Sequence, residues 1–189
     1  SMDRAEFDLQ LKGLAAAFRD PGVLEALANI GPTGVAVAVT QWGGDNEARM
    51  ILPFTHLRTA RDARAFGFRI SRARRAFMAS STSIATAITH GVEIIDTNSF
   101  AGERRVIDIS GDGMDNGGLN LDRARDQALA SGIVVNGLPI DADSVNLAAY
   151  YRNNVIIGTD SFIEPASDFA DYARAIREKL IRELRPLDS

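Results

Sequence analysis

Cysteine is absent from the chain. That removes disulfides, thiolate metal sites and a cysteine nucleophile, and it fits a reducing or an oxidising compartment equally. Histidine occurs only twice, at His56 and His90, with no metal-ligand spacing around either. No apolar run approaches the ~20 residues that span a bilayer, so no membrane span is expected. No excess of positive charge exists either. The formal net charge is −4, opposite to the basic balance of a dedicated nucleic-acid binder, and no nucleic-acid partner is expected. The Gly-x-Ser-x-Gly elbow of serine hydrolases is missing. The stretch from Gly111 to Gly117 carries Asn116 where a dinucleotide fingerprint needs its third glycine, and it lacks the lysine of a phosphate-binding loop.

What remains is an ordinary globular composition: 189 residues, 46% hydrophobic and 24% charged, enough for one domain with a sizeable core. The most informative stretch is Arg104–Gly113. Val106, Ile107 and Ile109 form a β-branched run that leaves through Gly111-Asp112-Gly113, the pattern of a buried parallel strand ending in a tight loop. Ligands of open α/β sheets bind beyond the carboxyl ends of strands, which puts Asp112 where a carboxylate does chemistry.

The rest of the chain alternates between the two periodicities. Helical spacing over Asp3 to Phe18 is followed by a short helix, Val23–Ile30. Gly34–Trp42 reads as a buried strand, and Ala48–Phe54 returns from a Gly-Gly-Asp-Asn turn as its antiparallel hairpin partner, with Pro53 at an edge. Thr59–Ala76 reads as one arginine-rich helix with a weak point at Gly67. A helix over Ser83–Asp96 precedes the central strand, and a helix capped by Asn120 follows it. Ile133–Leu138 is a second buried strand, Leu147–Val155 a short helix and Ser161–Glu164 a last short strand. Ser167 caps a final helix with a stripe of Phe169, Tyr172, Ala173, Ile176, Leu180 and Leu184. Strands alternating with helices argue a three-layer α/β domain with a mostly parallel sheet.

Two residues stand out as ligands for a hard cation. Asp112 is either a turn aspartate serving nearby N–H groups or a metal ligand. Thr82 is either an ordinary N-cap or a hydroxyl donor. Both sit where strands hand over to helices, and together they offer hard oxygens to Mg²⁺, Mn²⁺ or Ca²⁺. Asp115 and Asn116 are loop residues suited to assist. Asp108, inside the central strand, is either a core-edge group paired with Arg104 or Arg105 or a residue reaching the opposite face. The arginines from Arg58 to Arg75 form a solvated helix face or a docking patch for an acidic partner.

Val106–Gly113 with Asp115-Asn116, Val135–Ile140, Tyr150-Tyr151-Arg152 and Phe169–Glu183 resemble a von Willebrand factor A (vWA) domain of a bacterial branch. The resemblance covers nearly the whole chain. It implies a Rossmann-like sheet with one antiparallel edge strand, helices on both faces, and a metal-ion-dependent adhesion site (MIDAS). In such a site Thr82 matches the second-loop threonine and Asp112 the third-loop aspartate. Ser1 matches the last serine of an Asp-x-Ser-x-Ser motif whose aspartate and first serine are not in the chain. The resemblance therefore implies a single vWA-like domain over residues 1–189, truncated at its amino end and missing its central strand, with an incomplete metal site. The missing strand is expected to be replaced by another segment or by a partner chain, or else the sheet rearranges; two open edges also offer a route to a homo-oligomer. A binding module that captures a protein carboxylate through a divalent cation is the function implied. The alternatives are a metal-assisted hydrolase on the same rim and a metal-independent scaffold. The resemblance implies export to the periplasm or beyond.

Overall fold

A computed structural model describes residues 3–79, 81–140 and 146–185. Eleven elements alternate along it: α1 (Arg4–Ala17), α2 (Pro21–Ile30), β1 (Val35–Trp42), β2 (Ala48–Leu57), α3 (Ala60–Ser71), α4 (Ile84–Thr97), β3 (Arg105–Gly111), α5 (Leu121–Ala130), β4 (Ile133–Pro139), α6 (Leu147–Asn154) and α7 (Tyr172–Glu183). The α/β class expected from the alternation holds.

Local chemistry sets most of the boundaries. Asp3 and Glu6 form a reciprocal capping box at the start of α1, and Asp20 with Pro21 in the first turn opens α2. Thr59 and Asp62 do the same for α3, which runs through Gly67 unbroken but stops at Ser71 rather than Ala76. Gly67 is needed for packing: a Cβ there would lie 2.8 Å from the Ala15 carbonyl, so its absence lets α3 and α1 approach. Ser83, not Thr82, caps α4 by accepting from the Thr86 N–H, and Asn120 caps α5 as expected.

Three expectations fail. Ser161–Glu164 forms no strand, only a bridge from Ile163 to Gly137, because Gly158 and Asp160 hold left-handed backbone just ahead of it. Ser167 does not cap the last helix. That helix begins five residues later, and the Ser167 N–H donates to Asp171. Its buried face is Tyr172, Ala175, Ile176 and Lys179, with Ala173 exposed. Asp108 pairs with neither arginine: Arg104 donates to the Glu183 carbonyl, Arg105 pairs with Asp96, and Asp108 bonds the fully buried Lys179 ammonium across from α7.

The strands form two pairs. β1 and β2 make the expected antiparallel hairpin, with a bulge where Pro53 interrupts the register between Val37 and Val39. β3 and β4 run parallel in register from Arg105–Ile133 to Gly111–Pro139. Among the described residues, no hydrogen bond joins β1 to β3. The core is divided accordingly. Ile107, Ile109, Ile133 and Val135 pack with α4 and α5; Leu138 and Ile140 pack with α7; Leu52 and Leu57 pack with α1 and α3. The sheet is thus smaller and more interrupted than a continuous central sheet. β1 is apolar along most of its length, yet it stays half-buried from Val35 to Thr40.

Candidate metal-binding rim

The carboxyl ends of β1 and β3 meet: the Trp42 ring, at the end of β1, lies 3.2 Å from where a Cβ on Gly111 would stand, at the end of β3. Loops leaving both strands therefore meet at one rim. Thr82 lies just ahead of α4, and its stretch is laced to the loop after β3. The Thr82 N–H donates to Asn116 Oδ1 at 2.8 Å, and the Asn116 N–H returns a bond of 2.8 Å to the Thr82 carbonyl. The Thr82 hydroxyl oxygen lies 3.3 Å from the Cβ position of Gly113, next to Asp112. A side chain at Gly113 would fill the space in front of that hydroxyl. Two stretches some thirty positions apart, the threonine turn and the glycine-flanked acid, thus share one edge.

Asp112 is half-buried, and its charge combines with burial to push the Tyr151 phenol up; burial is the larger cause. The Tyr151 hydroxyl is itself buried beside Gly111 with no hydrogen-bond partner among the described residues. Ser1 lies outside the described residues.

Asp115 has a defined task. Its Oδ1 accepts from the Ile84 N–H at 2.5 Å and from the Ala85 N–H at 3.4 Å, so it satisfies the first amides of α4 from a distant loop. Burial raises its pKa despite those bonds, and nearby Asp45 adds to the rise. Its own N–H donates to the Tyr150 hydroxyl at 3.2 Å. Asn116 is taken up by Thr82.

The hairpin turn joins the rim as well. Asp45 accepts from the Gly118 N–H at 2.6 Å, and the Ser83 hydroxyl and that amide hold its carboxyl below the ordinary range. Gly117 must be glycine to admit this contact: a Cβ there would lie 2.4 Å from Asp45 Oδ1. The Ser83 N–H donates to the Gly43 carbonyl at 2.7 Å, and the Asn46 N–H to Thr86 Oγ1 at 3.1 Å. Sequence reasoning took this segment as a turn and no more. The signal was Asp45 itself, an acid after two glycines at the carboxyl end of a strand.

Hard oxygens dominate the rim, and the Thr82 hydroxyl and Asp112 carboxylate are the donor types that Mg²⁺ prefers. The donor chemistry fits a divalent cation. Among the described residues, no three His, Asp or Glu side chains gather into a self-sufficient metal cluster. His56 bonds the Thr33 carbonyl and His90 lies on α4; neither approaches the rim loops through any hydrogen bond.

A profile of the family described as "Protein of unknown function (DUF1194)" matches residues 1–188. No curated protein matches the sequence. Solved structures share the fold at low identity. Proximal thread matrix protein 1 from the mussel byssus, with a zinc-occupied MIDAS motif, superposes with a TM-score of 0.64 at 15% identity over 95% of this chain and 43% of that one. A von Willebrand factor type A protein from Catenulispora acidiphila gives 0.58 at 18% identity, over 92% and 38%. An aerotolerance-related membrane protein from Bacteroides fragilis gives 0.51 at 18% identity, over 91% and 88%. The chain spans less than half the length of the mussel and Catenulispora proteins. By sequence it belongs to the DUF1194 family, and its α/β fold is that of a von Willebrand factor A domain.

Proposed function

We propose that the chain is a non-enzymatic protein-binding module, a vWA-like domain that works through a divalent cation on the rim. Asp112 and Thr82 would hold the ion, with Ser1 as a third contributor, and Mg²⁺ is the first choice, ahead of Mn²⁺ or Ca²⁺. The observation that supports this reading is the lacing of the Thr82 turn to the loop carrying Asp112, with the hydroxyl 3.3 Å from a Cβ position on Gly113. The zinc-occupied MIDAS of the mussel matrix protein, on the same fold, adds support. Bound there, the ion supplies a positive centre with few protein ligands, so coordination positions remain for a carboxylate oxygen from a partner protein. The work of the chain's own residues is positional. Asn116 fixes the threonine turn, Asp115 secures the start of α4 behind it, and Gly113 keeps the approach open. We assign the module to the periplasm or the cell exterior; no described helix is long and apolar enough to cross a membrane.

Titration calorimetry with Mg²⁺, Mn²⁺ and Zn²⁺ tests the assignment. The 189-residue chain should bind weakly, because one carboxylate and two hydroxyls make a sparse site. Asp112→Ala and Thr82→Ala should abolish the heat, and Asp126→Ala, on the exposed side of α5, should leave it intact. Equal binding by Asp112→Ala overturns the proposal.

A further inference from the structure

The arginine-rich segment that includes α3 has no part in the proposed function. Residues 58–75 hold seven arginines and a single acid, Asp62, in a chain whose formal net charge is −4. That acid is already engaged. Its Oδ2 accepts from the Arg58 and Thr59 N–H groups and from the Thr59 hydroxyl at the start of α3. Two of the arginines are engaged as well. Arg69 donates to Thr55 Oγ1 at 3.0 Å and lies over the Phe66 ring. Arg75 donates to the Asp3 and Phe77 carbonyls and lies over the Phe7 ring. Arg61, Arg64, Arg72 and Arg74 are exposed, and among the described residues none of these four forms an ion pair.

The helical period sorts the side chains of α3. Ala63, Phe66, Gly67 and Ile70 are its buried side, and the helix packs on α1 and β2. Arg61, Arg64, Phe68 and Arg72 follow at intervals of three, four and four residues on the opposite, exposed side. They make a row ~17 Å long at ~1.5 Å per residue. Phe68 stands inside the row, 58% exposed, with the Arg72 guanidinium 5.7 Å from the centre of its ring. Like charges one turn apart destabilise the helix that carries them, and an exposed phenylalanine ring costs free energy in water. One anionic ligand, met lengthwise, relieves both.

We infer that the exposed side of α3 is a docking face for an anionic lipid surface, with Arg61, Arg64 and Arg72 on the lipid phosphates and Phe68 at the headgroup–acyl boundary. Charge and shape both match. A guanidinium is planar and takes two phosphate oxygens at once, and a row on the outside of one helix meets a flat sheet of phosphates along its whole length. The ring favours lipid over an acidic peptide, whose carboxylates offer it no apolar contact. A membrane interface accepts an aromatic ring and a guanidinium side by side. The contact is peripheral: α3 has 12 residues and its other side packs on α1 and β2, so it lies along the surface without crossing it. Each arginine close to an anionic surface raises partitioning about fivefold, so three supply about a hundredfold. The face needs no metal ion, so this inference stands or falls apart from the rim reading.

Flotation of the 189-residue chain with phosphatidylcholine vesicles, prepared with and without phosphatidylglycerol, tests it. The chain should float with the phosphatidylglycerol vesicles, stay behind with phosphatidylcholine alone, and be released as salt screens the contact. The triple change Arg61→Glu, Arg64→Glu and Arg72→Glu should lower partitioning about a hundredfold or more. Arg61→Gln, Arg64→Gln and Arg72→Gln should lower it by a similar factor without reversing the charge, and both triples should keep the parent urea midpoint. Arg4→Glu, Arg123→Glu and Arg152→Glu change the net charge as much as the first triple does, at exposed arginines on three other helices. That control should stay within a few-fold of the parent. Phe68→Ala should weaken binding several-fold. No flotation with phosphatidylglycerol vesicles overturns the inference, and so does an equal loss in the control triple, which would make net charge and not this face the cause. Retention on immobilised polyglutamate by a chain that ignores the vesicles overturns it in favour of an acidic protein partner.

Discussion

Lys179 has no exposure, and its ammonium is shared between two acids on different elements. Glu183 accepts from it at 2.8 Å and from Asn136 Nδ2 at 2.6 Å, while Asn136 Oδ1 takes the Phe162 N–H at 2.9 Å. The Asp108 side chain keeps 29% exposure, yet the protein packed around its carboxyl withdraws it from water enough to raise its pKa well above the ordinary carboxylate range, and neighbouring Glu183 adds to the rise more than Lys179 relieves it. Glu183 is held low, because its bonds to Lys179, Asp108 and Asn136 outweigh its burial. The two acids act oppositely on stability. Above the unfolded carboxylate value near ~3.9, the folded chain keeps a proton on Asp108 that the unfolded chain has released, so stability falls as pH rises through that window. The Glu183 contribution is complete above ~4.3 and is lost only in acid. Asp108→Asn should therefore flatten the decline in urea-unfolding free energy between pH 5 and 8. Lys179→Met should cost about 3–5 kcal/mol at any pH in that range, because it strands a buried carboxylate. This cluster was half legible in the sequence. An acid inside a β-branched strand demands a partner, but adjacent Arg104 and Arg105 were the nearer candidates. Nothing local says that a lysine 71 residues later lies in the buried stripe of α7.

At the scale of elements, capping residues made the helices readable. Asp3, Thr59 and Asn120 each stand at a start that the sequence predicts, because a side-chain oxygen reaching an orphan amide is a local event, whereas Asp20 opens α2 two residues ahead of the expected Val23. Of the two starts without such a cap, α6 still falls at the expected Leu147, whereas α7, with no side-chain bond from Asp171 to its amides, begins only at Tyr172. Gly67 shows why composition misleads inside an element. It reads as a weak point, but it marks the α1–α3 crossing. Gly67→Ala should cost about 1–3 kcal/mol in thermal or urea unfolding despite alanine's better helix propensity, because its methyl meets the Ala15 backbone. Gly91→Ala should cost less, since the new methyl meets the movable Cδ1 of Ile107 at 2.7 Å. Similar costs would mean that the two helices shift freely against their neighbours.

For the whole molecule, the rim was legible from the order of the strands, and the division of the sheet only through the family resemblance, which left a gap with two open edges. Strands of like direction deliver their loops to one end, so Thr82 and Asp112 come together from the order of elements alone. Hairpin and parallel pair were also expected, each from its own connection. Whether neighbouring pairs join is a property of the sheet as a whole, and no stretch of sequence encodes it locally. One consequence is unequal protection. Native-state exchange at low urea should find the amides of β4 the slowest, since it pairs with β3 and with Ile157, Ile163 and Ala166 on its other edge. Amides of β1 should be the fastest among the strands. Equal rates in both would mean that the molecule opens as one unit.

Trp42 is the chain's single tryptophan. It stands at the end of β1 beside Gly111 and borders the cavity between the strand pairs, so one indole reports on the rim and on that cavity at once. Its emission offers a label-free gauge of occupancy. A shift to shorter wavelength would accompany drying of its surroundings, and accessibility to a dissolved quencher such as acrylamide would fall in step. Ordinary fluorimetry of the unmodified polypeptide can therefore follow, in real time, whatever natural extract or synthetic peptide is added to it.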